Sequence, residues 1–165
     1  MNKVINGILI TDKFTKEDIE YSVRRHGEIF NQEYGFSQES GRPVAQRIRD
    51  FGANCNPEKE FMLVAKQNDS FVGTVTFMGE DNHIGRLRYV FVDPHIRGCG
   101  VGSALIETAR SMAKNMGYNH LYLSTFDVLT SARRMYSRLG FVKTGQEPAD
   151  YVMPGLIEEI WEKDI

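Results

Sequence analysis

The segment Arg97-Gly98-Cys99-Gly100-Val101-Gly102-Ser103 joins an apolar run that ends at Val92 to an amphipathic helical pattern. Glycines at alternate positions leave the backbone open to a close ligand, and the first amides of a helix carry the positive end of its dipole. Arg97 adds a charge that can pair with phosphate through two parallel hydrogen bonds. The segment, called the glycine loop below, therefore predicts a cradle for a pyrophosphate.

Other interpretations of the glycine loop fit less well or explain less. Its Gly-x-Gly-x-Gly spacing differs from the dinucleotide-binding fingerprint, and the nearest acid, Asp127, lies past the following strand instead of at its tip. A Walker loop needs Lys-Ser or Lys-Thr after the glycines, which this segment lacks. A glycine-rich turn that only connects a strand to a helix stays open from the loop alone.

The sequence around the loop alternates strand and helix patterns. Apolar residues recur at helical spacing from Val101 to Met116 and predict an amphipathic helix that Gly117 ends. Residues 87–92 are apolar except at Arg88, which predicts a central strand covered on both faces. The other predicted strands are residues 4–11, 61–66, 71–78, 120–125, 141–146 and 158–163.

Further helices are predicted before and after the central strands. Thr15 and Asp18 resemble a capping box, so a helix should begin near residue 16 and end near Gly35. A second helix is expected to start at Pro43, because proline is tolerated in a first helical turn. A short helix is predicted at residues 131–139.

Composition limits the function classes. A chain of 165 residues is long enough for one core, so we expect one domain spanning residues 1–165. The net charge of -2, with scattered Lys and Arg, argues against a nucleic-acid partner. No signal peptide or membrane-spanning segment is recognisable, so a cytoplasmic location is expected. Cys55 and Cys99 are far apart and lack a His at ligand spacing, so neither a disulfide nor a metal site is predicted.

The glycine loop and its surroundings resemble the GNAT acetyltransferase superfamily. Its cofactor motif is Arg or Gln, any two residues, Gly, any residue, then Gly or Ala, and Arg97, Gly100 and Gly102 match it. Asp93-Pro94 before the motif and Leu139-Gly140-Phe141 after it fit the same order. A narrower likeness, to acetyltransferase domains fused to MarR-type regulators, rests on Arg25-His26-Gly27, Glu33-Tyr34-Gly35, Leu129-Thr130 and Trp161-Glu162.

The resemblance implies an α/β GNAT fold: a mixed, mostly antiparallel central sheet that is splayed between its fourth and fifth strands and flanked by helices. Acetyl-CoA would be the co-substrate, with its pantetheine arm in the splay beside Phe91 and Val92. The implied cofactor contacts are Phe91, Val92, Arg97, Gly98, Cys99, Gly100, Val101, Gly102, Ser103 and Arg133.

The reaction implied by the family is direct attack of a neutral amine on the thioester. A backbone amide near Val92 would stabilise the oxyanion, and Tyr136 would protonate the departing thiolate. Tyr136 shares a helix stripe with Leu139, so a half-buried core tyrosine is the structural alternative. The base is open: His26, Glu33 and a water relay are candidates, while core packing for His26 and a solvated surface position for Glu33 are the plainer interpretations.

Three function classes compete at this stage. The first is an N-acetyltransferase acting on a primary amine of a small molecule, peptide or protein, and the second is a CoA-sensing module without turnover. The third is a protein-interaction domain that binds no CoA. The intact glycine loop and Tyr136 favour the enzyme, whereas the missing carboxylate on the central strand keeps the sensor open. The C-terminal strands could also pair between subunits and form a homodimer.

Overall fold

A mixed sheet of eight strands carries the fold, and the computed structural model describes every residue from 1 to 165. The strands are β1 Asn2–Ile5, β2 Ile8–Thr11, β3 Glu60–Gln67, β4 Ser70–Gly79, β5 Ile84–Val92, β6 His120–Phe126, β7 Val142–Pro148 and β8 Ile157–Asp164. The helices are α1 Lys16–Tyr34, α2 Gln38–Asn54, α3 Val101–Asn115 and α4 Thr130–Arg138. None of these helices combines the length and apolarity that crossing a membrane requires.

The strands are ordered β1-β2-β3-β4-β5-β6-β8-β7, and only β5 and β6 run parallel. Helices α1 and α2 cover one face, where Ile29 and Ile48 join a core cluster with Phe91. Helix α3 covers the other face, where Leu105 packs in the largest cluster with Leu87. The predicted α/β class and the mostly antiparallel sheet flanked by helices are therefore confirmed.

The predicted splay lies between β5 and β6. Their parallel pairing begins at Ile84 with His120 and ends at Leu87 with Leu123, although both strands continue beyond that point. The open edge of β5 therefore runs from Arg88 to Val92. These two strands are the fifth and sixth of this chain instead of the fourth and fifth, because residues 4–11 form two strands where one was predicted.

The N-terminal hairpin explains this difference in numbering. Asn6 and Gly7 have φ angles of 50° and 77°, which is the left-handed conformation of a two-residue hairpin turn. Ile5 consequently pairs with Ile8, and β2 continues the sheet beside β3. Asn-Gly between apolar residues is a strong hairpin signal, so this turn was readable from the sequence.

The ends of α1 confirm the predicted caps. The Asp18 amide donates to Thr15 Oγ1 at 3.2 Å, while the Thr15 amide donates to Asp18 Oδ2 at 2.8 Å. Gly35 ends the helix with a φ of 72°. Helix α1 is therefore held at both ends by the residues that predicted it.

The predicted start of α2 at Pro43 is wrong. Ser37 caps this helix, since its Oγ accepts from the Ser40 amide at 3.1 Å, and Pro43 lies inside the helix. A proline there removes the bond to the carbonyl of Glu39. Both residues are exposed, so water can reach that part of the helix. The serine cap therefore decides where the helix begins.

Candidate active site

The end of β5 presents backbone groups to the splay. Gly73 and Val92 face each other in the ladder, and the Asp93 amide donates to the Val72 carbonyl at 2.8 Å. In antiparallel geometry this makes Gly73 and Val92 a non-hydrogen-bonded pair, so the N–H and C=O of Val92 point away from β4. The Val92 amide therefore faces the splay, whereas the backbone groups of the adjacent Phe91 point toward β4.

The glycine loop opens helix α3 without a side-chain cap. Gly98 and Gly100 both have a φ of 80°, a conformation that favours glycine, and a side chain added at either position would meet no atom within 4 Å. The Ala104 amide makes the first bond of the helix, to the Gly100 carbonyl at 3.0 Å. The amides of residues 101–103 thus lack intrahelical partners and remain free to donate. This arrangement fits a pyrophosphate.

Gly102 has a different role from the two glycines before it. A Cβ at this position would lie 2.9 Å from Met135 Sδ and 3.4 Å from Val92 Cγ2. The glycine therefore allows α3 to approach α4 and the end of β5 closely. The amide of Gly102 is free at the start of the helix, while its missing side chain serves helix packing.

Arg97 is held in place by β5 and α1. Its Nε donates to the Val92 carbonyl at 3.0 Å, and its Nη1 donates to Glu33 Oε2 at 2.7 Å. A guanidinium has five N–H groups, so further donors stay available for a phosphate. Glu33 contacts Arg97 and does not line the large cleft described below. Its geometry suits positioning of Arg97.

Arg133, expected to contact the cofactor, makes an ion pair within the chain. Its Nε and Nη2 donate to the two carboxylate oxygens of Glu159 at 2.9 and 3.0 Å. Glu159 is 2% exposed and also accepts from Lys143 at 3.1 Å and from Trp161 Nε1 at 3.0 Å. A buried carboxylate holds its cations strongly, because losing one would leave an uncompensated charge. Arg133 therefore takes part in this ion network, and its contact with the cofactor stays a prediction.

An ion pair that the sequence did not reveal ties α1 to the end of β5. Arg25 donates to Asp93 Oδ2 from Nε at 3.2 Å and from Nη2 at 2.9 Å. Asp93 is buried and also contacts His95 Nδ1 at 2.6 Å. The pair fixes α1 beside the splay, so the next residue, His26, reaches the cleft wall.

A cleft of about 1080 Å³ lies between α1, α2, the middle of β5 and the end of β6. Tyr136 lines it while its ring packs against Phe141, with centroids 6.0 Å apart. Burial alone raises the pKa of Tyr136, and no group of the chain hydrogen-bonds its hydroxyl. The phenol therefore stays protonated at neutral pH. Tyr136 combines the two positions foreseen for it, with a ring in the core and a place at the cleft.

His26 also lines the cleft. Its ring stacks on Phe30 at 4.4 Å and meets the edges of Tyr89 and Phe91 at 6.4 Å each. Burial among these rings lowers the pKa of His26 to about 4. The imidazole is therefore neutral at physiological pH and carries a free lone pair. Of the two predicted base candidates, only His26 is placed at the cleft.

The His26 shift predicts a pH-dependent stability. Its pKa falls from 6.5 to about 4 on folding, so between these values the unfolded chain binds more protons. The free energy of unfolding should therefore decrease as the pH falls from 6.5 toward 4, and at pH 5 this contribution is about 2 kcal/mol. His26→Phe removes it. In urea unfolding, the variant should gain about 2 kcal/mol relative to the native chain between pH 8 and pH 5; a constant difference would contradict the burial of His26.

Comparison with known proteins places these features in a family. The Acetyltransferase (GNAT) family matches residues 24–141, which include the glycine loop, the splay and Tyr136. The chain is 33% identical over 103 residues to the peptidyl-lysine N-acetyltransferase YjaB of Escherichia coli, covering 62% of this chain and 63% of that protein. It is 34% identical over 108 residues to N-acetylaspartate synthetase of Danio rerio, covering 65% of this chain and 38% of that protein. The chain thus spans less than two thirds of either relative.

Solved structures show the same fold. An acetyltransferase of the GNAT family from Staphylococcus aureus has a TM-score of 0.80 at 20% identity, covering 95% of this chain and 98% of that one. A Bacillus anthracis protein solved in complex with acetyl coenzyme A has a TM-score of 0.63 at 21% identity, covering 70% and 68%. With the family match spanning most of its length, the chain belongs to the GNAT family of acetyltransferases, which use acetyl-CoA as co-substrate.

Proposed function

We propose that the chain is an N-acetyltransferase that moves the acetyl group of acetyl-CoA to a primary amine by direct attack. One observation carries this proposal: the free amides of residues 101–103 begin α3 beside Val92, whose own amide faces the splay, and a Cβ on Gly102 would lie 3.4 Å from Val92 Cγ2. Acetyl-CoA supplies an acetyl group that is activated as a thioester. The chain's own groups then have to bind it, polarise its carbonyl and move protons.

Each of these tasks has a candidate group. The amides of residues 101–103, together with Arg97, would hold the pyrophosphate, since both present donors to an anion. The Val92 amide would donate to the acetyl oxygen, where a fixed donor stabilises developing negative charge. The Tyr136 hydroxyl, protonated and at the cleft, would give its proton to the departing sulfur.

The base that deprotonates the amine is assigned to His26, directly or through water. The imidazole is neutral and lies at the cleft. The low pKa of His26 makes it a weak base, so a water relay would carry the proton of the amine on to solvent. Glu33 is assigned to positioning, because its carboxylate is paired with Arg97 at 2.7 Å.

Three narrower statements also belong to the proposal. Residues 1–165 form a single domain. This domain is similar to the acetyltransferase domains that are fused to MarR-type regulators. The acceptor is a primary amine, as the names of the E. coli and D. rerio relatives support. The edge strand β7, exposed along most of its length, offers a surface for a homodimer.

Acetyl transfer to a panel of amines tests the function. The panel contains amino acids, polyamines and lysine peptides, and the measurements are release of the CoA thiol and the mass of the product. We expect turnover with at least one amine. Stabilisation by acetyl-CoA without any acetylated product would instead indicate a CoA sensor, and neither effect would indicate a domain that does not use CoA.

A further inference from the structure

Three arginines from two elements meet at the wall of the cleft. Arg86 and Arg88 are alternate residues of β5 and so share the face of the sheet that α1 and α2 cover. Arg47 joins them from α2. We call this group the arginine cluster. No carboxylate lies within ion-pair distance of any of the three, whereas Arg25, Arg97 and Arg133 are all paired.

Burying the unpaired guanidinium groups of the arginine cluster lowers the stability of the folded chain. Arg88 is half-buried, and burial first, then the neighbouring charges of Arg86 and Arg47, lower the pKa of Arg88. The Nε of Arg86 is fully buried and has no hydrogen-bond partner. Contacts with the rings of Tyr122 at 5.3 Å and Tyr89 at 5.1 Å offset part of the cost. They do not supply the missing acceptor, and a buried donor without one is rare in folded proteins.

The rest of the cleft does not neutralise these charges. Its lining includes five arginines and three glutamates, namely Arg24, Arg42, Arg47, Arg86 and Arg88 against Glu28, Glu39 and Glu158. Glu28 is paired with Arg25 at 2.7 Å, and Glu158 accepts from the Tyr151 hydroxyl at 2.8 Å. Glu39 is exposed on the first turn of α2. The cleft therefore has an excess of positive charge where the acceptor would enter.

We propose that the arginine cluster binds an anionic oxygen group on the acceptor, so that the preferred acceptor is a primary amine that also carries a carboxylate or a phosphate. The inference rests on the proposed acetyl transfer. A guanidinium binds both groups through parallel N–H donors, and the guanidinium groups of Arg86 and Arg88, which line the cleft, donate to no group of the chain. A cationic polyamine would be repelled by the same charges.

Matched amine pairs that differ in charge test this preference. O-phosphoethanolamine is compared with ethanolamine, and aspartate with its diamide, so that the second member of each pair keeps the amine and lacks the anionic group. In the native chain, kcat/KM should be at least about tenfold higher for the member with the anionic group in at least one pair, as expected for a charge-assisted contact. The pair that shows the preference distinguishes a phosphate from a carboxylate.

Variants assign the preference to the cluster. Arg88→Gln should lower kcat/KM for the anionic amine about tenfold, mainly by raising KM. For the matched amine without the anionic group, kcat/KM should stay within about twofold of the native value. Arg47→Gln provides a second variant, since Arg47 is exposed and its loss should not disturb the core. Arg110→Gln, on α3 at the opposite face and paired with Glu107, is the matched control and should change neither value.

Three outcomes distinguish a failure of this inference from a failure of the proposed function. If the native chain acetylates uncharged or cationic amines as well as anionic ones, the arginine cluster does not select the acceptor, although acetyl transfer stands. If the preference exists but survives in both Arg88→Gln and Arg47→Gln, it arises elsewhere and the inference is overturned. If no amine of any charge is acetylated, the proposed function itself fails.

Discussion

Tyr136→Phe is expected to lower kcat for acetyl transfer at least about 100-fold, the usual contribution of a positioned general acid. The substitution removes only the hydroxyl, which no other group of the chain hydrogen-bonds. The phenyl ring keeps its packing in the core, where it lies 6.0 Å from the ring of Phe141. Binding of acetyl-CoA should be preserved, so the KM for acetyl-CoA should stay within about threefold of the native value.

The measurement is steady-state kinetics with the best amine of the panel, together with thermal unfolding of both chains. Tyr118→Phe is the matched control, because Tyr118 packs against the core near Phe77 and does not line the cleft. It should leave kcat unchanged. A kcat for Tyr136→Phe within about threefold of the native value would show that water protonates the leaving group and that Tyr136 is a core residue only.

The sequence predicted most of the parts that local signals encode. The Thr15 cap, the glycines that end helices and the apolar strand before the glycine loop each depend on near neighbours in the chain. The loop itself was also readable, because positive φ angles and an uncapped helix start leave a pattern of glycines. The splay was expected from the family resemblance, and the pairing of β5 with β6 confirms it.

Features that depend on distant contacts could not be predicted in this way. The reason for glycine at position 102 is Met135, which lies on another helix. The ion pair of Arg133 depends on Glu159, which lies on β8 between β6 and β7. No local signal in either segment indicates these partners, so neither contact could be predicted from the sequence.

A bulge in β5 is another feature that the sequence did not reveal. Tyr89 has a φ of 52°, an unusual conformation for a bulky residue, and the β4–β5 register shifts at this point. Bulges often re-aim side chains next to active sites. Here Tyr89 meets the edge of His26, so the bulge helps to build the cleft wall. Arg88, in contrast, was visible in the sequence as the one charged residue of an apolar run. Its proposed role in binding an anion depends on Arg86 and Arg47, which only the fold brings beside it.

The glycine loop carries the second large expected effect. Gly100→Glu places a negative charge and a side chain where the free amides of α3 begin, so the Kd for acetyl-CoA should rise at least about 100-fold. The substitution also strains the backbone, because Gly100 has a φ of 80°. Gly117→Glu is the matched control: Gly117 is exposed, has a φ of 93°, and follows the other end of the 15-residue helix. It should lose stability without losing affinity.

Thermal unfolding with and without acetyl-CoA, for the native chain and these two variants, tests the central claim most directly. We expect acetyl-CoA at 100 times the native Kd to stabilise the native chain and Gly117→Glu alike, by about 2.7 kcal/mol, and to stabilise Gly100→Glu by at most about 0.4 kcal/mol. Equal stabilisation of all three chains would place the cofactor away from the glycine loop. No stabilisation of the native chain would contradict the claim that this protein uses acetyl-CoA.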